Sequence, residues 1–269
     1  MYIKMNNRYA ITFGEVAILH TGGKEYGNGR RQHGFTCEEL KIIHQLYPNQ
    51  TEYISISDSL PEELRPDNEA GVLVFRNQNS SSIENKYLLP LSKELANNLY
   101  HEQESATYDN KYWDNRRQRT LNKRARLNVV FGKEGKQHSE DYKQCTVLAY
   151  SELPNLQKVK NNLANILGVK AHDLNAEGNK YFHDKSGIGF HGDAERKIVI
   201  CLSLGKSSTL RYQWRLPGSS NHTLQPIDIR VNHGDVYVMS EKATGYDWKS
   251  RSKVRVVHAA GHSSYIDKV

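Results

Sequence analysis

The sequence predicts a strand-dominated α+β protein, a sandwich or barrel of short strands with a few helices. Three observations carry this reading. Beyond about residue 120, short runs rich in Val, Ile, Leu, Tyr and Phe alternate with Gly, Asn, Asp and Ser clusters, the signature of strands joined by turns. Only one stretch there, from Leu156 to Leu167, has helical periodicity instead, with Leu156, Val159, Leu163 and Leu167 on one stripe. The chain has 269 residues, enough to bury a substantial core, and it shows no internal repeat or long low-complexity tract.

Taken in order, the first half is turn-rich with helical pieces. Thr21 to Arg31 carries four glycines among polar residues, and its Gly23-Lys24 lacks the rest of a phosphate-loop pattern. Thr36 to Leu46 reads as a helix capped by Thr36 with Glu39 three positions on. Gly71 to Phe75 is a strand and Asn77 to Ser82 a polar loop. Leu91 to Tyr100, approached through Ser92, is a second helix. After it come strands at Leu127–Phe131, Cys145–Tyr150, Lys180–Phe182, Ile188–Phe190, Lys197–Leu204, Leu210–Leu216, Ile227–Val231, Val236–Met239 and Val254–His258. This pattern divides the chain into an N-terminal α+β extension, residues 1–120, and a strand-rich core, residues 121–269.

Composition narrows the function classes. Charged residues make up 25%, the mean hydropathy is −0.74, and no apolar run is long enough to cross a bilayer. The N-terminus does not read as a secretory signal. Three scattered cysteines, Cys37, Cys145 and Cys201, form neither a disulfide framework nor a zinc signature, so an intracellular, reducing compartment is expected. The net charge of +7 points towards anionic partners. Tyr112 to Arg126 packs six basic residues and two aromatics. Trp113, Arg124 and Arg126 are its candidate substrate-binding residues, since cations neutralise phosphates while a ring stacks on a base. A solvated basic face is the bland alternative.

The most informative motif is His191-Gly-Asp193, which follows a polar, glycine-punctuated approach and precedes the strong strand Arg196–Leu204. In extended backbone, residues i and i+2 share a face, so an imidazole and a carboxylate can grip one metal from one side. A second histidine from a distant strand would complete the two-His-one-carboxylate triad that leaves positions open on iron(II). His258, in Val254-Arg-Val-Val-His258, is the candidate, with His262 as competitor. A second His-x-Asp, His233-Gly-Asp235, lies between two strand candidates and reads as a structural hairpin turn.

With the motif placed among strands, residues 124–261 resemble the AlkB-like iron(II)- and 2-oxoglutarate-dependent dioxygenases. The matching residues are Asn179-Lys-Tyr181, Gly187-Ile-Gly-Phe-His191-Gly-Asp193, Leu202-Ser-Leu-Gly205, Arg126-Leu-Asn-Val-Val-Phe-Gly132 and Gly234-Asp235-Val-Tyr-Val-Met-Ser240. The resemblance implies a double-stranded β-helix (a cupin-like jelly-roll) with flanking helices. It also implies His191, Asp193 and His258 as iron ligands, and Asn179 and Tyr181 as hydrogen-bonding partners of 2-oxoglutarate. Its chemistry would be dioxygen-dependent dealkylation or hydroxylation of bases in DNA or RNA.

Two departures stand out. Asp247-Trp248-Lys249 holds no histidine where the family places its distal one, and no arginine follows His258 to pair with the far carboxylate of 2-oxoglutarate. Lys268 sits ten residues downstream, where some relatives in the wider superfamily use a lysine. Arg255 competes, though at an odd offset from His258; Arg211 and Arg215 are further candidates. These departures keep open a hydroxylase of protein side chains or small molecules; a non-catalytic binding module that kept the fold is a third reading, against which the intact His191, Asp193 and His258 argue.

Overall fold

The computed structural model describes residues 5–18, 25–27, 32–77, 88–218 and 224–267. In chain order these form β1 (Arg8–Gly14), β2 (Val16–Ile18), β3 (Glu25–Gly27), α1 (Cys37–Leu46), β4 (Thr51–Ser55), β5 (Gly71–Phe75), α2 (Lys93–Ser105), β6 (Lys111–Asp114), β7 (Arg119–Asn122), β8 (Leu127–Gly132) and β9 (Val147–Ala149). Then follow α3 (Pro154–Leu167), β10 (Asn175–Tyr181), β11 (Gly187–His191), β12 (Val199–Gly205), β13 (Ser208–Arg215), β14 (Ile227–Val231), β15 (Val236–Met239), β16 (Arg255–Gly261) and α4 (Ser263–Ile266). Lys268 and most of the Thr21–Arg31 and Asn77–Ser82 stretches lie outside the described residues. Among the described residues no helix is long and apolar enough to cross a membrane.

Two sheets face each other, as the strand-dominated α+β jelly-roll requires. The major sheet runs β4-β5-β15-β12-β1-β10-β8-β9, and the minor sheet runs β11-β16-β13-β14. Alternation along β1 shows how the layers form. Tyr9, Ile11 and Phe13 join Leu40, Ile43, Leu95, Leu99, Leu156, Val159 and Leu163 in one core between the major sheet and helices α1, α2 and α3. Arg8, Ala10 and Thr12 point the other way, into the space between the sheets. A second core fills that space at one end, where Val72, Val74, Val199 and Met239 meet Leu210, Trp214, Ile229 and Val256. β12 touches apolar layers on both faces, and all seven of its residues are buried.

The helices begin and end for local reasons. Thr36 Oγ1 accepts from the Glu39 amide at 3.1 Å and Glu39 Oε2 accepts from the Thr36 amide at 2.7 Å, the reciprocal capping box expected. Lys170 then clamps Glu39, at 2.7 Å to Oε1, tying α1 to the segment after α3. Ser92 caps α2 through the Leu95 amide, and Gly168 terminates α3 at φ +73°.

The division at residue 120 is crossed by the major sheet. β1 lies in its middle, antiparallel to β10 on one side and β12 on the other, while β4 and β5 extend it beyond β15. Residues 8–75 therefore supply strands of the barrel wall itself. The expectation of a separate extension arose because β1 was not read as a strand.

Candidate metal centre

Two strands and one turn bring His191, Asp193 and His258 together. β11 and β16 are antiparallel neighbours in which His191 stands directly opposite His258. Their rings lie 4.5 Å apart between centroids. The register shifts between Ile188 and His191, so a β-bulge turns His191 inward, while Phe190 lines the outer face. Asp193 lies just past the strand, held by its amide donating to the Thr244 carbonyl at 2.9 Å. The simple same-face argument for an extended His-x-Asp is thus replaced by a bulge and a turn. Even so, one ligand atom from each of the three residues lies within 4.8 Å of the others.

The intervening residue has no freedom. A Cβ on Gly192 would fall 2.2 Å from the Gly245 carbonyl oxygen and 2.7 Å from the Trp248 ring. Gly245, at φ +69°, lets the loop close over the motif at that point.

The electrostatics suit a cation. Burial pushes the Asp193 carboxyl up, but Arg196, His258 and His191 outweigh it and hold the group below the ordinary carboxylate range. Arg196 lies 3.4 Å from Asp193 and also contacts Glu177 and Glu195. Burial, then His191, pushes the His258 imidazole down to about 3, leaving it neutral near pH 7, and among the described residues its buried Nδ1 has no hydrogen-bond partner. His191 Nδ1 bonds the Gly189 carbonyl oxygen at 2.8 Å, which leaves Nε2 facing Asp193 at 3.7 Å. Two imidazoles and one carboxylate are a donor set that fits ferrous iron with open positions.

An interior cavity of about 80 Å³ adjoins these three residues. Its walls include Asn179 and Tyr181 from β10, Cys201 and Ser203 from β12, Tyr237 from β15, and three arginines, Arg8, Arg126 and Arg196. Asn179 Oδ1 accepts from Arg126 Nε at 2.8 Å and from the Asn128 amide group. Tyr181 lies under the Arg8 guanidinium, 3.8 Å from ring centroid to Cζ.

Several other expectations receive their places. Arg255 is a correction: it lines the outer groove with Val257, its Nη1 donating to the Trp248 carbonyl at 2.9 Å, so it faces away from the cavity as its odd offset from His258 requires. Arg215 lines that same outer groove, and Arg211 pairs with Asp228 and Asp267. His262 caps α4 at its exposed N-terminus. His233 and Asp235 are structural, as read: His233 Nδ1 accepts from the Gly205 amide at 3.0 Å, and buried Asp235 accepts from Arg76, Asn77 and Asn232. Trp113 sits in the β6–β7 hairpin with Lys143 over its ring, and Arg124 is exposed just after it, so only Arg126 of that segment reaches the cavity. Sequence reading missed Arg8 and Arg196. The strict alternation of Arg-Tyr-Ala-Ile-Thr-Phe was the available signal for the first.

Residues 85–250 match the family model of the 2OG-Fe(II) oxygenase superfamily. The chain belongs to that superfamily. It is also 34% identical over 264 residues, 95% of its own length and 96% of the relative's, to an uncharacterized protein, R156, of Acanthamoeba polyphaga mimivirus. Members of the superfamily use iron(II), 2-oxoglutarate and dioxygen, and this chain is a 2-oxoglutarate-dependent dioxygenase by that membership. The matched span contains His191 and Asp193 but ends before His258, whose candidacy rests on geometry.

Proposed function

We propose that this oxygenase is AlkB-like and acts on nucleic-acid bases, removing N-alkyl groups or hydroxylating carbon. His191, Asp193 and His258 hold the iron, and Asn179 and Tyr181 face 2-oxoglutarate. The observation that carries the site is the convergence of three ligand atoms within 4.8 Å at the wall of an interior cavity. When bound, iron with its co-substrates supplies the oxidising power: substrate C–H, 2-oxoglutarate and dioxygen become alcohol, succinate and carbon dioxide. On an N-methyl group the resulting alcohol leaves as formaldehyde, restoring the N–H.

The protein's part is to position and to exclude. Arg196 keeps Asp193 charged, and the Gly189 carbonyl orients His191. The substrate class is supported by a groove of about 700 Å³ behind the metal strands, lined by Phe190, Trp248, Arg215, Lys249, Arg251 and Arg255. Among the described residues no carboxylate lines it. Cations suit a phosphate backbone and the two rings suit unstacked bases. β11 is the edge strand of the minor sheet and His191 is 29% exposed by side chain, so the metal residues are partly open to solvent, as a flipped base would require.

The test is succinate formation from 2-oxoglutarate with iron(II), comparing the native chain with Asp193→Ala, in the presence of N-methylated single-stranded DNA, RNA or peptides. The expected result is succinate and formaldehyde with oligonucleotide, at least about a hundredfold reduced in the variant. Stimulation by peptides alone would overturn the nucleic-acid reading while leaving the oxygenase reading intact.

A further inference from the structure

We infer that Arg8, on β1, is the residue that takes the far carboxylate of 2-oxoglutarate. The inference rests on the oxygenase reading above and deepens it, because neither the family's usual position after His258 nor the span matched by the family model includes this residue.

Arg8 is a buried cation without a counter-charge among the described residues. It is 8% exposed, and its Nη2 is fully buried with no hydrogen-bond partner among the described residues. Three guanidinium groups line the cavity, and their surroundings differ. Arg196 is surrounded by Glu177, Asp193 and Glu195. Arg126 is engaged on Asn179. Among the described residues Arg8 has only the face of Tyr181. An ionised group removed from water is costly unless an opposite charge or full hydrogen bonding replaces the lost solvation. Burial accordingly pushes its pKa down. A carboxylate arriving from the cavity would restore what is missing, and the fork of a guanidinium matches a carboxylate edge-on.

Position agrees with need. Arg8 shares the inward face of β1 with Ala10 and Thr12 and stands opposite Tyr181 on β10 and Gly205 on β12. Its Nη2 lies 3.0 Å from where a Cβ on Gly261 would be, so this glycine, at φ +117°, leaves the guanidinium its room. Gly261 is on the same strand as His258, three residues further, which is roughly 10 Å. A dicarboxylate bound to the metal at one end extends over that distance towards Arg8. Ser203 and Ser208 line the intervening wall and add hydroxyl donors.

The test separates the far carboxylate from the rest of the molecule. Binding of 2-oxoglutarate and of 2-oxopentanoate, which has the same chain length without the second carboxylate, is measured by calorimetry on the anaerobic manganese(II)-loaded protein, with no turnover. For the native chain, 2-oxoglutarate binds at least about a hundredfold tighter. In Arg8→Ala that preference falls to within about threefold, while manganese(II) affinity and 2-oxopentanoate binding stay unchanged. Arg8→Lys, which keeps the charge and the fold without the fork, retains an intermediate preference. Undiminished preference in either variant overturns the assignment. If the native chain binds neither manganese(II) nor 2-oxoglutarate, the oxygenase reading fails instead, so the two failures are distinguishable.

Discussion

At the residue scale, the metal centre depends on what two glycines permit. Gly192 and Gly189 flank His191, yet their surroundings are opposite. A Cβ on Gly192 meets the Gly245 carbonyl oxygen at 2.2 Å, whereas one on Gly189 meets nothing within 4 Å. Gly192→Ala must therefore push apart the motif and the loop that holds Asp193 through the Thr244 carbonyl, and Gly189→Ala need move nothing. Metal binding reports the difference. Saturating iron(II) or manganese(II) stabilises any fold it selects, by about 2.7 kcal/mol at a hundredfold excess over Kd. For a chain of this size that is a rise in Tm of roughly 5–10 °C. The native chain and Gly189→Ala should show this rise, and Gly192→Ala should lose most of it along with stability of its own. A full metal-induced rise in Gly192→Ala, read by calorimetry, would contradict the close approach. Neither glycine's role was legible from spelling alone. The sequence shows His-Gly-Asp, but which backbone crosses above the glycine is a tertiary fact.

At the element scale, two basic elements compete for the role of nucleic-acid surface. The hairpin β6–β7 and its continuation to Arg126 were the cluster visible in sequence, because their charges are contiguous. The groove was invisible because Arg215, Lys249, Arg251 and Arg255 come from β13, β16 and the loop between β15 and β16, and assemble only when the minor sheet folds. Its cations share one face with Phe190 and Trp248, while Arg117 of the hairpin already pairs with Asp114. We expect the groove to dominate. Affinity for a single-stranded oligonucleotide should fall with salt at a log–log slope of roughly −3 if four phosphates are neutralised. Lys249→Ala with Arg251→Ala should reduce the slope by about 1.4, and Arg116→Ala with Arg119→Ala by less. Fluorescence anisotropy across a salt series decides it, and the reverse order would return the role to the hairpin. The other elements were largely readable. β14, β15 and β5 have the bounds that their apolar runs predict, and α1 starts at its capping box. Arg8–Gly14, Thr51–Ser55 and the hairpin strands were not read, since short strands with polar residues on an inward face mimic loops.

At the scale of the whole molecule, topology binds the two ends of the chain into one site. The major sheet takes β1 from the N-terminus and sets it between β12 and β10, and the minor sheet takes β16 from the C-terminus and sets it beside β11. A fold of this kind, rich in pairings distant along the chain, forms its site only when nearly all the sequence is present. The strand alternation of residues 121–269 is strong enough to suggest an independent core, and this is where local pattern misleads. Without β1, both β10 and β12 would expose an unpaired row of amide and carbonyl groups in the middle of the sheet. The helices α1 and α2, which supply Leu40, Ile43, Leu95 and Leu99 to the outer core, would be missing as well. A chain spanning 121–269 should therefore lack a cooperative thermal transition and aggregate, although it carries all three proposed metal ligands. Residues 5–267 should unfold in one step and bind manganese(II). Circular dichroism and metal titration of the two fragments make the comparison. A cooperatively folded, metal-binding 121–269 fragment would restore the two-part organisation and show that β1 merely leans on a finished barrel.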